Sequence, residues 1–363
     1  MASLFDPIQL GDIHAPNRIL MAPLTRGRAT PAHVPTAIMA DYYSQRAGAG
    51  LIISEATGIS REGLGWPYAP GLWTNEQVEA WKPVTGAVHA KGGRIFAQLW
   101  HMGRLVHPTF LDGAQPLSSS ATIAPGQAHI YAGKQEYARA RPATKDDIAR
   151  VLDDYARAAR NALRAGFDGV QLHAANGYLI DQFLRDANQR DDDYGGSPEN
   201  RGRLAREVID RLIGEVGAGR TAVRFSPNGA SQGVADPDPE SVYVPLGRFL
   251  EERGVAFIEL REQGPNGTFG HSDQPKVSPA LREVFSGPLV LNQDYSLAGA
   301  QADLDSGLAD AIAFGRPFIA NPDLVERLRG EAPLATPNVA TFYTQGSEGY
   351  SDYPRFDGEA LVA

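Results

Sequence analysis

The chain contains no cysteine. Disulfides, thiolate nucleophiles, iron–sulfur clusters and thiolate zinc sites are thereby excluded, so any redox chemistry must be carried by a bound cofactor. No apolar run is long enough to span a bilayer, and Met1-Ala-Ser-Leu-Phe-Asp-Pro7 lacks the basic and apolar regions of a signal peptide. A cytoplasmic protein with no membrane partner is expected. Lysine and arginine form no stripe, and net charge is −9, which argues against a nucleic-acid partner while leaving room for a local phosphate pocket. Histidines never pair as His-x-His or His-x-x-His, so no metal centre is expected. Lys82, Lys91, Lys134, Lys145 and Lys276 all fall in helices or loops, which leaves no strand-end lysine for a Schiff base. For a glycosidase, Glu55 and Glu259 are the only loose carboxylate candidates.

What is present is an ordinary globular balance, 42% hydrophobic and 21% charged, with no internal repeat or low-complexity linker. Apolar, β-branched runs recur at Arg18–Ala22, Gly50–Ser54, Arg94–Gln98, Gly169–His173, Thr221–Ser226, Phe257–Leu260, Pro288–Leu291 and Ala311–Phe314. Amphipathic intervals near 74–91, 145–165, 199–217, 238–253 and 322–330 separate many of them, with Thr144, Ser197 and Asp238 as helix-start signals. Eight strands alternating with helices predict an α/β fold, a (β/α)8 TIM barrel, as one domain over residues 1–363. An N-terminal hairpin within the first ~16 residues should close the barrel bottom, its turn centred on an Asp. Residues 102–144, rich in Pro, Ser, Gly and Ala, are too long for a routine connection and are expected to cap the catalytic face after strand 3.

The densest chemistry lies in Gln171-Leu-His-Ala-Ala-Asn-Gly-Tyr-Leu-Ile180. A buried strand should end there and Gly177 should break it, placing His173 and Asn176 in a turn on the catalytic face. An imidazole and a carboxamide donating to one oxygen would stabilise a developing enolate, and the Tyr178 phenol could supply a proton to the neighbouring carbon. A buried histidine capped by an asparagine would look the same in sequence. Gly315-Arg316, after the eighth strand, stands at the usual phosphate position of such barrels. Arg224 lies inside the fifth strand, where burial demands an anion: a cofactor phosphate, the electron-rich edge of a ring, or a core carboxylate. Ala22-Pro-Leu-Thr25, Ser54-Glu-Ala-Thr57 and Gln98-Leu-Trp-His101 end the first three strands with small or hydrogen-bonding residues that suit a flat polar ring.

Six strings carry a resemblance to a known family: Asn17-Arg-Ile-Leu-Met-Ala-Pro-Leu-Thr-Arg26, Gln98-Leu-Trp-His-Met-Gly-Arg104, His173-Ala-Ala-Asn-Gly-Tyr-Leu179, Asp193-Tyr-Gly-Gly-Ser-Pro-Glu-Asn-Arg201, Phe314-Gly-Arg-Pro-Phe-Ile-Ala-Asn-Pro-Asp323 and Glu348-Gly-Tyr-Ser-Asp-Tyr-Pro354. Together they span nearly the whole chain, which resembles the old yellow enzyme family, in the branch of bacterial alkene reductases similar to N-ethylmaleimide reductase. The resemblance implies noncovalent FMN, contacted by Pro23, Leu24, Thr25, Ala56, Gln98, Arg224, Gly315 and Arg316. It also implies a substrate oxygen held by His173 and Asn176, Tyr178 as proton donor, and a pocket wall of Trp66, Trp100, Phe269 and Tyr343, with Thr36 at its margin. The seventh strand ends Leu291-Asn-Gln-Asp-Tyr295 where many relatives have a glycine-rich turn, so phosphate contacts there are expected from backbone N–H groups in altered geometry, with Asn292 and Asp294 as the contacting residues.

The implied reaction is NAD(P)H-dependent reduction of an activated alkene (enone, enal, maleimide or nitroalkene), with hydride added at the β-carbon, a proton at the α-carbon, and net trans addition. NADPH or NADH would be the electron donor, and the protein a monomer or homodimer. Reduction of nitrate esters or nitroaromatics at the same site, and a non-catalytic flavin-binding regulatory protein, are the alternatives.

Overall fold

The computed structural model describes residues 2–356; Met1 and 357–363 lie outside the described residues. Eight parallel strands form the frame: β1 (Ile19–Met21), β2 (Ile52–Ile53), β3 (Ile95–Trp100), β4 (Gly169–Ala174), β5 (Thr221–Phe225), β6 (Phe257–Arg261), β7 (Leu289–Asn292) and β8 (Ala311–Phe314). Each pairs with the next, and β8 returns to β1 with Ile312 opposite Ile19, so the sheet closes. The eight strands are those read from the apolar runs, because strands buried on both faces keep few polar positions.

Two cores follow from the alternation of side chains along each strand. Leu20, Ala22, Leu51, Ile53, Phe96, Ala222, Phe257, Val290, Ala311 and Ala313 fill the barrel, and Leu10, Ile13 and Ala15 join them from below. Those three belong to the expected hairpin, Ile8–Leu10 against Ile13–Ala15. Gly11 turns it at φ +57°, where a Cβ would stand 2.2 Å from the carbonyl oxygen of Gly219. The larger core lies between the barrel and its helices and includes Trp81, Tyr155, Leu212 and Leu246.

The helices are α1 (Ala37–Gln45), α2 (Asn75–Ala90), α3 (Lys145–Arg164), α4 (Leu179–Leu184), α5 (Pro198–Arg201), α6 (Arg203–Val216), α7 (Glu240–Arg253), α8 (Ser278–Arg282), α9 (Leu297–Asp305), α10 (Arg316–Ala320) and α11 (Leu324–Arg329). Thr144 caps α3 in a reciprocal box with Asp147, and the Ser197 side chain caps α5. Asp238 is not a cap: Pro239 occupies that position of α7, and the Asp238 carbonyl instead accepts from Ser241 Oγ at 2.8 Å. The expected 199–217 helix is divided at Gly202 into α5 and α6.

Residues 102–144 carry two short 3-10 turns, a parallel bridge of Leu117–Ser118 with Arg141–Pro142, and an antiparallel hairpin, Gln127–Ile130 with Gly133–Glu136. In that hairpin the His129 ring lies 4.6 Å from Trp66, and Tyr131 stands edge-on to Tyr68. At the other end of the chain, buried Arg26 and Arg28 donate to the carbonyls of Phe342, Gly349 and Thr341, tying the segment that carries Tyr343 to the mouth of β1.

Candidate functional site

Side chains on neighbouring strands join into one hydrogen-bonded band across the barrel. Gln98 Nε2 donates to Gln171 Oε1 at 2.8 Å, and Gln171 Nε2 donates to Glu259 Oε2 at 2.7 Å. Arg224 then donates through Nη1 to Glu259 Oε1 at 2.6 Å and through Nη2 to Asn292 Oδ1 at 2.9 Å, while Asn292 Nδ2 donates to the Ala313 carbonyl at 2.6 Å. Of the three anions open to Arg224 in sequence, a core carboxylate is therefore one it does meet. Burial pulls the Arg224 pKa down and Glu259 opposes that pull. Glu259→Ala should leave the guanidinium buried and uncompensated, lowering unfolding free energy by about 3–5 kcal/mol in urea titrations of FMN-free protein. An unchanged midpoint would show that the Arg224 charge is compensated elsewhere. Glu55 is also committed, accepting from the backbone N–H groups of Arg26 and Gly27 and from the Tyr43 hydroxyl, so the two loose carboxylates form no glycosidase pair.

Above this band β4 ends in a tight reversal. Asn176 and Gly177 take φ +59° and +78°, a left-handed pair that asparagine tolerates and that glycine adopts freely. A Cβ on Gly177 would meet Gln232 Cβ at 2.6 Å. The turn is pinned by Asn176 N–H donating to Ser226 Oγ and by Gly177 N–H donating to Asp181 Oδ2. It delivers Tyr178 as the first residue before α4. The Tyr178 ring stands edge-on to both Trp100 and His173, with centroids 4.9 Å away in each case, and Trp100 and His173 lie nearly parallel at 6.3 Å. His173, Tyr178 and Trp100 are thus brought together, with Asn176 in the turn between the first two.

Desolvation holds the His173 pKa well below the ordinary histidine value, reinforced by Arg224 and Arg261. The ring is neutral and offers one N–H donor. Desolvation, with Tyr137 and Tyr343 nearby, pushes the Tyr178 phenol up, so it stays protonated.

The remaining expected residues divide. Ala56 and Trp100 are buried in one apolar cluster, against which Trp66, Tyr178 and Tyr137 pack; Tyr137 was not anticipated. Tyr343 meets Trp66 edge-on at 5.2 Å. Phe269 is not part of this aromatic contact set: it is 60% exposed, with its ring 4.6 Å from the Arg261 guanidinium carbon. Thr36 is committed elsewhere, its hydroxyl donating to the Arg28 carbonyl at 2.6 Å where α1 begins. The Asp294 carboxylate accepts from Thr268 N–H and Oγ. A carboxylate would repel a phosphate, so at this turn, with Gln293 and Asp294 at φ 101° and 56°, only backbone N–H groups suit one. Asn292 serves the band through Arg224. The sequence offers Gln171 and Arg261 no site role and Glu259 only that of a glycosidase carboxylate, although two charges two residues apart in Phe257-Ile-Glu-Leu-Arg261 mark one face of a buried strand as polar.

These residues fit FMN. Among the described residues, Arg224 Nε, Trp100 Nε1 and His173 Nδ1 are buried without a hydrogen-bond partner, on the strands that carry the band and the trio. Pro23, Leu24 and Thr25 are half-buried between buried Ala22 and Arg26. A Cβ on Gly315 would reach Leu24 Cδ2 at 3.3 Å, so the first and last strand ends adjoin, with exposed Arg316 next in the chain. A flat ring rich in polar edges and a single phosphate match this donor set.

Residues 3–335 match the NADH:flavin oxidoreductase / NADH oxidase family. An old yellow enzyme homologue from Zymomonas mobilis superposes with a TM-score of 0.96 at 61% identity, over 98% of this chain and 100% of that one. Morphinone reductase in complex with tetrahydroNAD gives a TM-score of 0.93 at 44% identity, over 99% of each chain. A probable flavin mononucleotide-dependent alkene reductase of Leishmania infantum is 41% identical over 360 residues, covering 97% of each. The chain accordingly belongs to the NADH:flavin oxidoreductase / NADH oxidase family, as an FMN-dependent oxidoreductase of the old yellow enzyme type.

Proposed function

We propose that the protein is an NAD(P)H-dependent ene-reductase acting on alkenes conjugated to a carbonyl, imide or nitro group. The observation that carries this reading is the neutral His173 beside Asn176 and the protonated Tyr178, a set that can bind an oxygen and deliver a proton without forming a covalent bond. Bound FMN would accept hydride from the nicotinamide and pass it to the alkene β-carbon. His173 and Asn176 hold the substrate oxygen and stabilise the negative charge that develops there. Tyr178 protonates the α-carbon from the opposite face, and Trp66, Trp100, Tyr137 and Tyr343 orient the substrate and exclude water. The 102–144 excursion caps this space, its hairpin resting on Trp66 through His129. The probable alkene reductase from Leishmania supports an alkene acceptor, and the morphinone reductase complex with tetrahydroNAD supports a nicotinamide donor.

The test is anaerobic reduction of the FMN-loaded protein with NADPH and NADH in turn, then reoxidation by enones, maleimides, nitroalkenes, nitrate esters and nitroaromatics. Rapid reoxidation by the first three with saturated products is the expected result. Reduction without reoxidation by any alkene would leave a flavin-binding protein of another function.

In the same reading Pro23, Leu24, Thr25, Ala56, Gln98 and Arg224 surround the ring, while Gly315 and Arg316 hold the phosphate. Arg316→Ala should weaken FMN affinity about tenfold or more, since a charge-assisted contact to phosphate is lost. Fluorescence titration of FMN into apoprotein measures it, and unchanged affinity would make Arg316 a support for the Thr268 carbonyl alone, to which it donates at 3.2 Å.

A further inference from the structure

Arg261 ends β6 with only 4% of its surface exposed. Its Nη1 donates to Asn176 Oδ1 at 2.5 Å, and its Nη2 donates to the carbonyl of Phe269 in the connection after β6. A guanidinium only donates, whereas a carboxamide has one accepting end and one donating end. Turning the Asn176 amide over would set its NH2 against Arg261, donor against donor. The Asn176 backbone, in contrast, is held independently by Ser226 Oγ at 2.7 Å.

We infer that Arg261 is a positioning residue that locks the Asn176 carboxamide with its NH2 toward the substrate oxygen, making the oxygen site donor-only. This rests on the proposed role of Asn176 in binding that oxygen. The consequence is a substrate rule: groups that only accept at this point, such as a ketone, imide or nitro oxygen and the enolate formed from them, are matched. A hydroxyl or an amide N–H there meets no acceptor from Asn176. The lock also reaches beyond the site. Phe269 O accepts a second bond, from Gln293 Nε2, and neighbouring Thr268 is held by Asp294 and Arg316. Substrate-oxygen binding and the phosphate-side turns thus share one connection. Burial and Arg224 bring the Arg261 pKa down to about 10, which still leaves it charged at neutral pH.

The test is a double-mutant cycle of Arg261→Met and Asn176→Ala in FMN-loaded protein, read by the pH-dependent binding of 4-cyanophenol, whose phenolate oxygen mimics the enolate, and by separate KM and kcat for an enone. Arg261→Met alone should weaken phenolate binding about tenfold or more. In the Asn176→Ala background it should add little, because the two changes remove one device. Full additivity would overturn the inference, showing that Arg261 acts by charge alone. No effect of Asn176→Ala by itself would instead overturn the proposed role of Asn176. Should Arg261→Met fail to retain FMN, the same cycle with Arg261→Lys decides: the charge is kept while the paired bonds to Asn176 and Phe269 are not, so loss of phenolate affinity confined to the Asn176 background supports the lock, and equal loss in both backgrounds refutes it.

Discussion

Replacing Tyr178 by Phe should slow reoxidation by enones and maleimides by about 10²–10⁴-fold, the usual contribution of a positioned proton donor. The ring contacts with Trp100 and His173 survive the change, so the pocket keeps its shape and only the proton is lost. Reduction by NAD(P)H needs no such proton and should be nearly unchanged. Nitroalkenes should suffer less, because hydride addition yields a stabilised nitronate that water protonates later. Since burial lifts the phenol above its ordinary value near 10, the wild-type alkene step should show no alkaline fall until above about pH 10. Rapid mixing of each half-reaction in wild type and variant separates these outcomes, and an unchanged enone step would reduce Tyr178 to a wall of the pocket.

His173→Ala and Asn176→Ala should each slow the enone step by about 10²–10³-fold, the scale of losing one donor to a developing oxyanion. Desolvation and the Arg224 and Arg261 charges hold His173 well below its ordinary pKa, so it is neutral at neutral pH. It therefore donates a hydrogen bond and transfers no proton. The alkene step should consequently be flat across the ordinary histidine range in wild type. A steep limb there that disappears in His173→Ala would mean that the imidazole titrates and moves protons.

The barrel was legible because its strands are continuous apolar runs, and the trio because its members lie within six residues. α1, α8, α9 and α10 were not marked: they have five or nine residues, and Leu297–Asp305 shows little contrast between its faces. Asp238 misled because a good capping residue stands beside a proline that fits the helix start equally well. Arg261 stayed hidden for a different reason. Its partner, Asn176, is 85 residues away, and strand closure rather than local spacing brings them together. Thr36 and Asp294 carry bonds that local spacing likewise does not reveal, to the Arg28 carbonyl and from Thr268.

Closure of β8 onto β1 has a consequence for synthesis. The two strands are neighbours in space, yet one begins at Ile19 and the other ends at Phe314. Until the ribosome has released the eighth strand, a seven-stranded intermediate presents two unpaired edges, on β1 and β7, each a template for pairing with another chain. The Arg26 and Arg28 guanidiniums wait longer still, for carbonyls at Thr341, Phe342 and Gly349. The barrel edges thus stay open to aggregation until the eighth strand pairs, and the segment carrying Tyr343 is anchored to the mouth of β1 only after that strand has been made.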